Sequence, residues 1–412
     1  MKFLRISMTL VLGAAVCCLL VACGGSSSST SSGSQTAASA GSSSTSTSST
    51  ASGTPITIGS IQDDLLLPSA ESGLNVAVNG INSRGGIDGH KIKLDVCLTH
   101  NDPNAAGTCA RKLVADPGVV ALVGSWTVGG TVADPILNAA KIPSFNPTLL
   151  APPDYASRTF FADNISGLST NGTIAVAADV LGAKKTAFAV FGNAGGLGLA
   201  QTIDSGVLKP RGLPNAVLTP LPPTATDFTS EAAQIANAHV DVVVPSGQPN
   251  QNPSLLRSLK EQGVTLPAVF LLNGAGGGAF YAKTMLPYTK SLTITSPYRL
   301  TGPVYQQFLS DWKAAGRAPW TWDGTLLNNY VGVQLLAAVI KAGAPITRAG
   351  LLAGVQHLTW TAGGMVPPIN FSSPVKVLSF THMFNNSVSA YKQNTDGSLS
   401  PINGGAFVTV FK

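Results

Sequence analysis

Several things are scarce in this chain, and each scarcity removes a class of function. Its 25 lysines and arginines are scattered over 412 residues. No basic stripe interleaved with aromatics forms, which argues against a nucleic-acid partner. No Gly-x-Ser-x-Gly elbow, zinc-ligand spacing or phosphate-binding P-loop occurs. The five histidines, His90, His100, His239, His357 and His382, lie at turns or element ends with no evident serine or cysteine partner. A glycine cluster over 192–198 has the wrong spacing for a dinucleotide loop. These absences speak against an enzyme, a cofactor and a metal. Cysteine is also sparse, with five residues, at 17, 18, 23, 97 and 109.

What is present begins with the leader. Lys2 and Arg5 precede an apolar run from Met8 to Ala22, the pattern of an export signal and too short for a membrane span. It ends in Leu20-Val-Ala-Cys23, which resembles a bacterial lipobox. That resemblance implies a signal peptide over 1–22, cleavage before Cys23 and a lipid on its thiol. The alternative is an ordinary secretory signal in which Cys23 is incidental. Residues 23–54 then follow, almost entirely Ser, Thr, Gly and Ala. With no charge and no large side chain, they cannot offset the entropy of ordering. They read as a tether spanning roughly 30 Å, which would hold the body near a membrane outside the cytoplasm.

The body from residue 54 onward is too long for one ordinary core, so two domains are expected. Its net charge is +4 once Lys2 and Arg5 are removed from the full chain's +6. Cys97 and Cys109, twelve apart in an exported protein, point to one disulfide, with Cys97 at a strand end and Cys109 two turns into a helix. Two free buried thiols are the alternative.

Hydrophobic periodicity alternates between strand and helix. Strands are predicted at 56–61, 91–97, 119–124 and from 144, and helices at 71–81, 102–115 and 129–140. Leu74, Val78 and Ile81 share one helix face, while Asp102-Pro103 supplies an N-cap followed by a proline suited to the first turn. The pattern restarts with helices at 171–181, 198–209, 229–238 and 253–263. The strands of this second run are at 186–191, 217–221, 241–245, 268–272 and 292–295. Helical segments follow at 304–315 and 326–342, then antiparallel strands over 378–411 around Asn394-Thr-Asp-Gly. Repeated α/β alternation predicts two Rossmann-like doubly wound lobes with a ligand cleft between them, beyond the carboxyl ends of the strands.

At this point the residues resemble a known family. Glu71-Ser-Gly-Leu-Asn-Val-Ala-Val-Asn-Gly-Ile-Asn-Ser-Arg-Gly-Gly-Ile-Asp-Gly-His-Lys-Ile is similar to the first helix and turn of type I periplasmic solute-binding proteins. The branched-chain amino acid (Leu/Ile/Val) receptors of ABC importers are the nearest group. Asn101-Asp-Pro with Ala110-Arg-Lys-Leu-Val, Val120-Ala-Leu-Val-Gly, and Lys141-Ile-Pro-Ser-Phe-Asn-Pro match as well. The resemblance covers nearly all of 55–412 in element order. It is specific over 70–150 and thin after 300. It implies two lobes, three hinge crossings, no catalysis, and closure on a small molecule that a membrane permease reads. The crossings are expected near Asp163, near Ser296 and within 358–378. That makes 55–163 plus 297–360 one lobe and 164–296 plus 361–412 the other. The protein is expected to be a monomer.

The same resemblance places ligand residues. Gly124-Ser-Trp-Thr-Val-Gly-Gly-Thr131 corresponds to the turn that holds a ligand carboxylate. Backbone N–H groups at Gly129 and Gly130 would supply the anion site, with Trp126 as a stacking face and Thr127 as a hydroxyl. Val128 stands where the family carries a serine. Trp126 packing locally and Thr127 serving as a cap is the competing reading. Gln62 and Asp63 end the first strand, and Asn146 and Thr148 follow the fourth. Asn193, Gln248 and Asn273 follow strands of the second lobe. No acidic residue lies between Glu261 and Asp311 to meet an ammonium, leaving Asp63 or Asp64 as substitutes. Asp323 with its flanking tryptophans reads as an N-cap and core. The expected ligand is therefore a small carboxylate, amide or aromatic acid rather than a simple branched-chain amino acid. A ligand-sensing receptor of the same fold, or a secreted hydrolase, is the alternative function.

Overall fold

The α/β alternation resolves into two sheets. A computed structural model describes residues 52–65, 70–150, 152–192, 194–271, 277–317, 320 and 324–412. Cys23, the expected tether as far as residue 51, Asn193, Asn273 and Asp323 lie outside the described residues; 53–54, expected at the tether's end, already belong to the first strand. The first sheet holds β1 (Gly53–Gln62), β2 (His90–Leu98), β3 (Val119–Val123), β4 (Ser144–Phe145) and β5 (Phe160–Phe161), all parallel in the order β2-β1-β3-β4-β5. The second is built on β6 (Thr186–Phe191), β7 (Val217–Leu221), β8 (Val242–Ser246), β9 (Ala268–Leu271) and β10 (Leu292–Ser296), parallel in the order β10-β9-β8-β6-β7. In each, the strand order reverses beside the first strand, so a crevice opens at the carboxyl ends there.

Helices α1 (Ala70–Ser83), α2 (Pro103–Ala115) and α3 (Gly130–Ala139) cover the first sheet, while α4 (Ser169–Asp179), α5 (Ala194–Ile203), α6 (Thr229–Asn237), α7 (Gln251–Glu261) and α8 (Gly277–Thr284) belong to the second. The chain then returns through α9 (Pro303–Ala314), α10 (Gly324–Lys341) and α11 (Arg348–Val355). Leu74, Val78 and Ile81 of α1 are buried as their spacing predicts; each such side chain contributes about 1.5–3 kcal/mol. Helix α1 lies on α10 so closely that a Cβ built on Gly73 would come within 2.1 Å of the Leu326 carbonyl oxygen. Asp102 caps α2, accepting the Asn104 N–H at 2.8 Å, and Pro103 opens the helix. Cys97 and Cys109 form a disulfide, Cα–Cα 5.6 Å, tying outermost β2 to α2.

The C-terminal stretch forms two short antiparallel pairs, β11 (Thr359–Trp360) with β12 (Ile369–Asn370) and β13 (Val375–Val377) with β14 (Phe380–Met383). Strand β15 (Ser387–Gln393) then adds antiparallel to β10, and β16 (Leu399–Pro401) and β17 (Phe407–Thr409) pair with β15. The chain thus passes between the sheets three times: after β5, after β10, and between α11 and β15. Phe371 and Phe384 pack on Phe161 at 5.9 and 6.0 Å between ring centroids, so 361–384 shares apolar core with the first sheet. Strand β5 and helices α8 and α11 are absent from the periodicity reading. Two residues carry no period, α8 opens on glycines, and α11 is only eight residues long.

Candidate functional site

The elements above bring the carboxyl ends of both sheets to face a common cavity of about 360 Å³. From the first sheet's side come Trp126, Thr148, Leu150 and the α10 residues Gly324, Thr325 and Asn328. The other wall is Asn164, Ser166, Gly167, Ser169 and Thr170 at the start of α4, with Leu271 and Pro297. Of these described lining residues none carries a formal charge. The surface suits a ligand with an apolar or aromatic body and a few hydrogen-bonding groups.

Trp126 is held from behind. Its N–H donates to the Ile61 carbonyl at 2.8 Å, and its carbonyl accepts the Asp63 N–H at 3.1 Å. This pins the turn after β3 to the end of β1, and Trp126 lines the cavity. Thr148 is similarly fixed, its N–H bonded to the Ser125 carbonyl at 2.8 Å. These two expected residues line the cavity.

The other expected positions among the described residues are not in its lining. Gln62 is buried beneath the turn; its Nε2 donates to Ser60 Oγ at 2.8 Å and to the Gly124 carbonyl at 2.6 Å. Asp63 is buried too, and its Oδ1 accepts the Leu65 N–H at 3.2 Å. Asp64 pairs with His100 at 2.9 Å. Neither aspartate is among the described residues that line the cavity. Gln248 is exposed, its N–H donating to Gln251 Oε1 at 3.0 Å and its carbonyl accepting the Gln251 N–H, which starts α7. Asn146, with φ of 50°, is buried and bonds Tyr298 and Asp163.

At the start of α3, where the anion site is expected, the protein's own side chains stand close. The Gly129 N–H donates to Thr127 Oγ1 at 3.0 Å. A Cβ on Gly130 would lie 2.7 Å from Asp154 Oδ1, so this protein's own carboxylate stands against the helix start. Asp154 Oδ2 also accepts the Leu150 N–H at 2.6 Å, fixing the loop that carries Leu150. Asp134, on the same helix, shares a space of about 20 Å³ with Asp154, Thr127, Gly130 and Thr148. Burial, followed by its hydrogen bond to Asp154 and that neighbour's charge, pushes the Asp134 carboxyl up to about 9. It therefore holds its proton to higher pH than an exposed aspartate does.

Asn164, Ser166, Ser169, Thr170, Leu271, Pro297, Thr325 and Asn328 escaped the sequence reading. Asn164-Ile-Ser-Gly-Leu-Ser-Thr170 directly follows the expected crossing at Asp163, and that polar run was the available signal. No local pattern marks α10, whose start reaches the cavity only through the return of the chain. Among the described residues, no group of three potential metal ligands occurs, and no helix is long and apolar enough to cross a membrane.

Two α/β lobes, joined by three passages around a lined cleft, define a two-lobed ligand-binding protein. The chain belongs to the periplasmic binding protein family, whose model matches residues 54–398. One relative is an amino acid binding protein of Pseudomonas aeruginosa, 28% identical over 289 residues, covering 66% of this chain and 73% of the relative. Another is the Leu/Ile/Val-binding protein homolog 8 of Brucella abortus, 26% identical over 340 residues, covering 75% and 82%. Among solved structures, an extracellular ligand-binding receptor from Verminephrobacter eiseniae superposes with a TM-score of 0.69 at 19% identity, covering 84% of this chain and 99% of that one. A fatty acid ABC transporter substrate-binding protein from Thermomonospora curvata gives 0.63 at 18% identity, covering 87% and 92%. At these identities the superpositions speak for the fold.

Proposed function

We propose that this protein is the extracytoplasmic, lipid-anchored receptor of an ABC importer. It would close two lobes on a small organic ligand, amino-acid-like, carboxylate or amide, and present the closed form to the permease as a monomer. The observation that carries the reading is the cavity lined from both lobes, with Trp126 and Thr148 on one wall and the 164–170 segment on the other. Contacts to both walls exist together only when the lobes are closed, so a ligand that makes them favours closure. The relatives' names support an amino-acid-like ligand or an acyl acid. The described lining residues carry no formal charge, and Thr127 and Asp154 stand at the start of α3; both observations favour a ligand that does not need a carboxylate clamp there. A buried unpaired charge would be costly.

The test is calorimetry on ligand-stripped protein, guided by native mass spectrometry of whatever co-purifies. Binding of an aromatic or aliphatic acid or amide, weakened about tenfold or more by Trp126→Ala through loss of an aromatic contact, is the expected result. Micromolar binding of leucine, isoleucine or valine that is lost on Asp63→Asn or Asp64→Asn would refute the expectation that the ligand is not a simple branched-chain amino acid. Turnover of the ligand in place of retention would refute the receptor reading.

A further inference from the structure

All three passages between the lobes converge on one buried aspartate. Asp163 follows β5 at the first passage, Tyr298 follows β10 at the second, and Trp360 and Asn385 flank the third. The Tyr298 hydroxyl lies 2.8 Å from Asp163 Oδ1, the Trp360 indole N–H donates to Oδ2 at 2.7 Å, and Asn385 Nδ2 donates to the Asp163 carbonyl at 2.8 Å. The Asp163 N–H is spent on Asn146 Oδ1 at 2.8 Å. Asp163 and Tyr298 are fully buried. The first passage thus supplies the aspartate, and the second and third each lend it neutral donors.

This cluster also reaches the cavity. Asn164 Nδ2 donates to Asn328 Oδ1 at 2.7 Å and to the Tyr298 oxygen at 3.0 Å. Tyr298 lies 2.9 Å from Asn328 Oδ1 as well, and Asn328 Nδ2 donates to the Asn146 carbonyl at 2.9 Å. Tyrosine has one hydroxyl proton, and the carboxylate is the stronger acceptor; Asn328 Oδ1 is then satisfied by Asn164. Asn164 and Asn328 both line the cavity, yet their amides are largely committed to each other and to the cluster.

We infer that Asp163 is a positioning residue that sets the balance between open and closed lobes, with Asn164 and Asn328 carrying cleft occupancy to it. The inference rests on the reading that the lobes close on a ligand. Lobe rotation is absorbed at the passages. A buried carboxylate cannot surrender one of its donors without a desolvation cost. The passages can then move only between arrangements that keep its donors paired, which restricts the lobes to a few orientations.

The experiment compares the ligand-free full mature chain with Tyr298→Phe, Trp360→Phe and Asp163→Asn by small-angle scattering and hydrogen exchange. Asn171→Ala serves as the control; Asn171 is a buried residue bonded to Thr202 within the second lobe. The expected result is a scattering shift toward a larger radius in the hinge variants. Amide exchange should also be about tenfold faster at 163–166, 296–298 and 385–387, with neither change in the control. If Asp163→Asn does not fold, the two aromatic variants decide. Scattering identical to the wild type in both, with exchange no more localised than in Asn171→Ala, would overturn the inference. Failure of the receptor reading looks different: wild-type scattering would not change with any ligand that calorimetry finds.

Discussion

Breaking the Cys97–Cys109 bond should destabilise the protein by a definite amount without unfolding it. The bond closes a segment of 12 residues. In the chain-entropy model the unfolded chain gains about 9.5 cal/mol/K when such a loop is opened, or about 3 kcal/mol at 25 °C. The fold should survive because other contacts hold both ends. Strand β2 pairs with β1 from Ile92 through Leu98, and α2 buries Ala106, Ala110 and Leu113. At about 1.3 °C per kcal/mol for a body of this size, the melting temperature should fall by about 4 °C. Calorimetry with and without reductant reads this directly, and a Cys97→Ala, Cys109→Ala double variant should reproduce it without burying a hydroxyl. A fall of under about 1 kcal/mol in both experiments would refute the entropic argument. Two free thiols by intact mass in protein taken from the exported fraction would refute the bond itself.

Gly73→Ala drives a Cβ into the Leu326 carbonyl and should cost about 1–3 kcal/mol as α1 and α10 are forced apart; a thermal melt matching wild type would show that the helices can shift freely. Asp134 is held protonated up to about 9, whereas the unfolded chain releases that proton near pH 4. The folded state thus binds more protons between these values, and this contribution to stability falls as pH rises through the window. The melting temperature of Asp134→Asn, which keeps a neutral group there, should depend on pH less steeply than that of wild type; parallel profiles would contradict the assignment. Cys23→Ser should release the protein from membranes or leave it unprocessed, and a processed, membrane-bound variant would exclude a lipid on that thiol.

The order of strands and helices was legible because each signal is local. A two-residue period, a helical stripe such as Leu74-Val78-Ile81, and an Asp-Pro start depend only on neighbours in the chain. The alternating units then restrict the fold to parallel sheets with crossover helices, and the Cys97/Cys109 spacing in a chain whose leader reads as an export signal is enough to suggest their bond. Trp126 and Thr148 were also within reach, since they follow strands whose carboxyl ends must face the crevice. What only the tertiary structure decided depends on residues distant in sequence. Asn328 meets Asn164 across 164 positions, and Trp360 meets Asp163 across 197. Asp154, which no local pattern distinguishes from a solvated loop charge, stands against the start of α3 where a ligand carboxylate was expected. Whether a polar side chain faces the ligand or is spent on the scaffold depends on which partners folding brings within hydrogen-bond distance, and that choice is made after the local elements exist.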